Sequence, residues 1–332
     1  MTEMLSDYEL LGPFQNQDAG FSRWTKAAHR GKQYFIKEFM NPKYPDQESL
    51  KESLRKTRIK ECEAFEVEKR NLYSAINKAS DGNLVRIADF FRGDSHYYMS
   101  TEWVESCNLT FEEISRLGLK EKLILCRTAL HSIAALHSAG IAHSDIKNTN
   151  VIVHKSIGGK LVAKIIDYDC SFFENCPPDN EDDLGGDQVY LSPEACMFFC
   201  GEDVKLTCKM DVFALGLLFH QYCTGELPYF DKNEYEYAHE AVLDDVILKA
   251  DSADIPTVVG NIIERMLLKD PDQRISSQEA YNALTEFYNQ RFSSVTGGTR
   301  FGGDFSTSKP DSGSGTSRLK MASDFFKPAG DL

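Results

Sequence analysis

Up to about residue 100 the chain alternates in the manner of strands, with one long helical segment between them. Tyr34-Phe35-Ile36-Lys37-Glu38-Phe39 follows an Arg30-Gly31-Lys32 turn signal and predicts a strand. From residue 47 to 76 the apolar positions are Leu50, Leu54, Ile59, Cys62, Phe65, Leu72 and Ile76, which is the spacing of a long, very polar helix. Residues 84–91 and 97–104 predict a second strand group, followed by the less regular Glu105-Ser106-Cys107-Asn108. Beyond residue 110 the pattern is mainly helical. Leu123, Cys126, Leu130 and Ile133 mark the buried face of a helix that ends at Gly140. Residues 151–153 and 161–166 predict a hairpin across Gly158-Gly159, and residues 211–222 are apolar nearly all round, as a core helix should be. From about residue 292 onward the chain is rich in Ser, Gly and Thr, and it is expected to be a disordered tail.

Composition adds limits. With 42% hydrophobic and 27% charged residues, 332 residues suffice for one large domain or two lobes around a cleft. No stretch approaches the roughly 20 apolar residues that span a bilayer, and the start, MTEMLSDYEL, lacks the basic and apolar segments of a secretion signal. Nine cysteines without a C-x-x-C pair predict reduced thiols and a cytoplasmic location. Cys196 and Cys200 are spaced as neighbours on a helix face, but no second pair completes a zinc site. A net charge of −14 argues against nucleic acid as a partner, and a membrane partner is not expected either.

The candidate chemistry is phosphoryl transfer. It needs metal ions to neutralise phosphates, a lysine to anchor them, and a carboxylate to orient the attacking hydroxyl. The run His143-Ser144-Asp145-Ile146-Lys147-Asn148-Thr149-Asn150 resembles the protein-kinase catalytic loop, H-x-D-x-K-x-x-N. The resemblance implies that Asp145 accepts the substrate hydroxyl proton, Lys147 contacts the transferred phosphate, Asn150 holds a metal ion and His143 supports the loop. Asp167-Tyr168-Asp169 resembles the D-F-G motif, with Asp167 as principal Mg²⁺ (or Mn²⁺) ligand. Ile36-Lys37 resembles the strand lysine that binds the ATP phosphates, and Glu68 the helix glutamate that pairs with it. Ser192-Pro193-Glu194 resembles the A-P-E motif, with Arg274 as the partner of Glu194, and Asp211 resembles the buried aspartate that braces the catalytic loop. Matched from the lobe junction, Thr101 stands at the gatekeeper position. Glu102, Trp103 and Val104 are expected to offer backbone hydrogen bonds to adenine, Asn108 to face the ribose, and Ile152 to touch the nucleotide.

Some positions depart from the family. The best register of the glycine-rich loop puts Gln17, Ala19 and Ser22 where glycines are expected, with Gly20 inside the loop and Phe21 at its tip. Glycine there lets backbone amides approach phosphate, and Ala and Ser permit a weaker version. Phe35 replaces a small residue above adenine and Trp24 a valine; these rings could stack on the base or partly fill its pocket. Asp169 replaces the motif glycine, adding charge near the metal site. Ser144 replaces an arginine that usually senses a phosphate on the activation segment. Asp187 replaces the threonine that bridges the catalytic Asp and Lys in Ser/Thr kinases.

The resemblance implies an α+β, two-lobed protein-kinase-like fold. A small, mainly β N-lobe (about 8–102) with one regulatory helix precedes a larger, mainly α C-lobe (about 108–291). Residues 1–7 are an N-terminal extension and 292–332 the tail. The implied activity is transfer of the γ-phosphate of ATP to serine or threonine of protein substrates, with autophosphorylation of the hydroxyl-rich tail as an accessory expectation. A pseudokinase or nucleotide-binding scaffold, and a small-molecule phosphotransferase of the same fold, are the alternatives. Lys147, Glu194 and Arg274 favour a protein substrate. Acidic residues 179–183 suggest basic residues around the target hydroxyl, and the cationic helix over residues 47–60 is either a solvated face or a docking site for an acidic partner.

Overall fold

The computed structural model describes residues 3–16, 22–45, 51–79, 83–179 and 184–292. The expected tail lies outside them, as do Ala19 and Gly20 of the phosphate loop.

The N-terminal half of the fold is a six-stranded antiparallel sheet. Its strands are β1 (Met4–Leu5), β2 (Tyr8–Leu10), β3 (Ser22–His29), β4 (Lys32–Phe39), β5 (Ile87–Gly93) and β6 (His96–Glu102), in the order β1-β2-β3-β4-β6-β5. Met4 and Leu5 pair with β2, so the sheet reaches into the segment expected to precede the domain. The turn signal at Arg30-Gly31 is a two-residue hairpin loop in which both residues have positive φ (49° and 78°), the geometry that matches strand twist. Tyr8, Leu10, Ala27, Ile36 and Tyr98 form an apolar cluster of their own on this sheet.

Helix α1 (Glu52–Ala79) buries a stripe of Cys62, Lys69, Leu72, Tyr73 and Ile76 against the main core, which also holds Phe39 and Phe90 of the sheet. The apolar spacing expected from residue 47 onward therefore produces a helix that begins at Glu52, with Lys51 before it outside the helix and residues 47–50 outside the described residues.

The remaining residues are mainly helical. Next come α2 (Phe111–Ser115) and α3 (Leu119–Ser138), which ends where Gly140 takes a left-handed conformation (φ 67°) beyond the cap. After the short β7 (Ile141–Ala142) and a 3₁₀ turn over Asn148–Asn150 comes the β8 (Val151–Lys155) and β9 (Leu161–Ile165) hairpin. Then follow β10 (Phe172–Phe173), which pairs with β7, and helices α4 (Pro193–Phe199), α5 (Lys209–Thr224), α6 (Ala238–Leu243), α7 (Thr257–Met266) and α8 (Ser277–Phe292). Residues 210–223 of α5 are all buried, so this is the core helix that the pattern predicts.

Candidate active site

A cleft of about 720 Å³ lies between the sheet and the helical lobe. Lys37, Thr101, Glu102, Val104, Asn108, Asn150, Ile152 and Asp167, all expected nucleotide or metal residues, line it. Trp24 and Phe35 also line it, with ring centroids 5.5 Å apart and planes inclined by 24°. They form a stacked aromatic wall and leave the cleft open. Ser22 is buried at the start of β3 and is not part of the lining. Along the linker, Trp103 spends its backbone N–H on the Gln33 carbonyl (2.9 Å), so that donor belongs to the sheet. The Glu102 side chain points to Lys32, 2.5 Å away on the exposed surface.

The catalytic loop is built between β7 and β8. Asp211 of α5 accepts from the backbone N–H of His143 (2.7 Å, Oδ2) and of Ser144 (2.8 Å, Oδ1), while His137 lies 2.9 Å from Oδ2. Ser144 is in the left-handed region (φ 68°), a conformation that costs energy in a residue with a side chain. The two bonds from Asp211 hold it there. Burial works against the charge of Asp211, but the hydrogen bond from His137 and the positive potential of His137 and His143 outweigh it, and its carboxyl titrates below the usual aspartate value. The other nitrogen face of the loop is fixed by His143, whose Nε2 is 3.0 Å from the Ile166 carbonyl.

Asp145 is then presented with its two oxygens in different states. Oδ2 accepts from Asn150 Nδ2 (2.8 Å) and pairs with Lys147 Nζ (2.9 Å), whereas Oδ1 is buried without a hydrogen-bond partner. Asn150 Nδ2 also donates to the Asp145 backbone carbonyl (2.8 Å), which leaves its amide oxygen as an acceptor. Burial disfavours the charged form of Lys147, but its hydrogen bond to Asp145 and the attraction of Asp145 and Asp187 raise its pKa above the ordinary value. Asp187 thus adds charge beside the pair that it was expected to alter.

Across the cleft, Lys37 lies mid-strand in β4, flanked by Trp24 of β3 and Met99 of β6. Its Nζ is 2.9 and 3.0 Å from the two carboxylate oxygens of Asp167 and 2.6 Å from Asp169 Oδ2. Burial opposes the ammonium charge, yet the two carboxylates raise its pKa well above that of a free lysine. Among the acids, Lys37 overcomes burial at Asp167 and lowers its pKa; at Asp169, burial and the Asp167 charge raise it.

The expected pairing of Lys37 with Glu68 is absent. Glu68 is exposed, and Lys69 is the buried residue of that turn, donating from Nζ to the Asp169 backbone carbonyl at 2.9 Å. The reason is helix register. Lys69 falls on the stripe set by Cys62, Leu72, Tyr73 and Ile76, and a neighbouring position is rotated by about 100° on an α-helix.

Glu194 and Arg274, expected as structural partners, lie together. Ser192 caps α4, Pro193 opens it, and Glu194 in its first turn receives both terminal nitrogens of Arg274, at 2.7 and 3.0 Å. All nine cysteines are free thiols. No helix among the described residues is long and apolar enough to cross a membrane.

Residues 29–284 match the protein kinase domain family, and the chain belongs to that family. It is 25% identical over 232 residues to calcium-dependent protein kinase 11 of Oryza sativa subsp. japonica, covering 69% of this chain and 39% of that protein. It is 26% identical over 203 residues to Aurora kinase of Dictyostelium discoideum, covering 60% and 49%. With serine/threonine-protein kinase PSK2 of Saccharomyces cerevisiae it shares 27% over 216 residues, covering 63% and 18%. The chain therefore spans less than half the length of each of these relatives.

Proposed function

We propose that the protein is an ATP-dependent serine/threonine protein kinase. The observation that carries the reading is Asp145, held by Lys147 and Asn150 with Oδ1 unpartnered, directly behind Asn150, which lines the same cleft as Lys37 and Asp167. Asp145 orients the substrate hydroxyl and takes its proton, and Lys147 offsets charge on the transferred group. Lys37 binds phosphate oxygens. The Asn150 amide oxygen and the Asp167 carboxylate are hard oxygen donors of the kind Mg²⁺ prefers, and the ion supplies charge neutralisation on the phosphates when bound. Relatives named as serine/threonine kinases support the choice of acceptor.

The test is incubation of the purified protein with labelled ATP and Mg²⁺ beside Asp145→Asn and Asp167→Asn. Label on serine or threonine that both substitutions abolish supports the reading. Nucleotide binding without transfer in the wild type points to a scaffold, and label on a free sugar or amine to a small-molecule phosphotransferase.

The finer parts of the proposal are the partners and the location. Asp187, which acts on Lys147 of the catalytic loop, and the acidic stretch that begins at Asp179 favour basic residues around the target hydroxyl, although residues 180–183 lie outside the described part. A peptide array with no preference for Lys or Arg sinks that preference. The first turns of α1 are exposed and cationic at Lys56, Arg58 and Lys60, which suits an acidic docking partner. Deletion of residues 47–58 with no change in fold or activity removes this role. Free thiols suit a cytoplasmic location, which cell fractionation checks.

A further inference from the structure

Lys37 must be held in the cleft by a carboxylate that does not leave it when the metal and nucleotide bind. Glu68 is turned to solvent and does not supply one. Asp167 now contacts Lys37 through both oxygens, but it is also the candidate metal ligand. Once its oxygens are committed to an ion, they are poorly placed to keep a lysine at the same time.

Asp169 is the remaining carboxylate in contact with Lys37. Its Oδ2 is 2.6 Å from Nζ, and its Oδ1 is buried without a hydrogen-bond partner. Its backbone carbonyl accepts from Lys69 at 2.9 Å, and the Lys69 charge favours the ionised carboxylate. Lys69 is itself buried on α1. The charges therefore run from Lys69 to Asp169 to Lys37 to Asp167, alternating in sign at each step.

We propose that Asp169 is the positioning residue for Lys37, taking from the metal motif the part expected of a glutamate on α1, with Lys69 as the counter-charge that ties the helix to the motif. The usual polarity of the helix-to-cleft link is then reversed, because the helix contributes a cation and the motif the anion. An outward movement of α1 withdraws Lys69 and leaves the Lys37–Asp169 pair in place. Tyr73, one turn along the same stripe, has a buried hydroxyl that makes no hydrogen bond to Asp169, so the bond from Lys69 is the one that ties the helix to the motif in this structure.

This inference rests on the nucleotide reading of the cleft, and the experiment separates the two. Full-length wild type, Asp169→Gly, Lys69→Met, Lys69→Glu and the double variant Asp169→Gly/Lys69→Glu are titrated with a fluorescent ATP analogue without turnover. Folding is checked by circular dichroism. Loss of Asp169 removes a charge-assisted bond and is expected to weaken nucleotide binding about tenfold or more. Lys69→Met is expected to weaken it by less than about threefold, since Lys37 keeps its partner. Lys69→Glu alone sets two carboxylates together and weakens binding. The double variant restores the helix-borne carboxylate and recovers binding to within about threefold of wild type.

Wild-type affinity in Asp169→Gly, or a double variant no better than Asp169→Gly, overturns the proposal. A ligand-free readout accompanies this. In a double-variant cycle with Lys37→Met and Asp169→Asn, the shifts in unfolding midpoint are expected to be clearly non-additive; additive shifts overturn the pairing whatever the cleft binds. If the wild type binds no nucleotide, the nucleotide reading fails, and the cycle still decides whether Asp169 holds Lys37.

Discussion

Arg274 grips Glu194 with both terminal nitrogens, and every nitrogen of its guanidinium is used. Nη1 also donates to the Lys209 carbonyl (2.7 Å), Nη2 to Lys269 (3.2 Å) and Nε to Leu268 (2.9 Å). The pair joins the start of α4 to the loop before α8, with Arg274 only 1% exposed. Removing one partner of such a pair leaves an uncompensated buried charge. Arg274→Met is expected to cost about 3–5 kcal/mol in chemical denaturation, a large share of a typical domain's stability. Glu194→Met in the same background should cost little more, because the charge left behind is gone. A loss below about 1 kcal/mol for Arg274→Met would show that the pair is not a strut.

Asp211 gives a prediction with a defined pH window. Its folded-state pKa lies below the ordinary aspartate value of about 3.9. The stabilisation is therefore fully present above that value and is lost as pH falls through the lower, folded one. Asp211→Asn cannot accept from both His143 and Ser144 without turning its NH₂ group toward a donor. At pH 7 it is expected to lose most phosphotransfer and about 2–4 kcal/mol of stability. The stability gap between wild type and variant should narrow below about pH 4. A gap that stays constant down to pH 3 rules the linkage out.

The fold was largely legible because its elements obey simple periods. The two-residue turn at Arg30-Gly31, the apolar helix around Phe213 and Leu217, and the spacing from His143 to Asn150 are local signals, and the structure places each as they imply. The helix residue that reaches the metal motif was not legible from a motif match, because Glu68 and Lys69 are adjacent and only the rotation of α1 selects between them. The signal was nonetheless present in the chain. Cys62, Leu72 and Ile76 define the buried stripe, and Lys69 lies on it. The same limit applies to Trp103, whose amide is taken by Gln33 through a pairing between strands remote in sequence.

Two histidines set a second, milder pH window. Burial lowers the pKa of both His220 and His239. Below the ordinary value of about 6.5 the unfolded chain binds protons that the fold resists, so stability is present above that pH and declines beneath it. The unfolding midpoint is expected to drop between about pH 6.5 and pH 5, before the Asp211 window opens. His239→Gln should flatten part of that slope. A midpoint unchanged over this range would mean that neither histidine is held neutral.

Phe35 decides what the aromatic wall does. Its ring stacks on Trp24 beside a cleft that remains about 720 Å³ with both rings in place. Trp24 is further braced by Trp103, 6.4 Å away between centroids, and Lys26 sits over the Trp103 ring at 4.3 Å. The wall thus presents aromatic ring faces beside the cleft, which suits stacking on a purine. Removing a stacking ring costs about 1–3 kcal/mol per base, which is roughly fivefold to a hundredfold in affinity. Phe35→Ala is therefore expected to raise the Kd for ATP by at least about fivefold, with little change in the unfolding midpoint because the ring is only half-buried. Isothermal titration of wild type and variant with ATP measures this directly. Tighter binding by Phe35→Ala would mean that the ring occupies space the base needs.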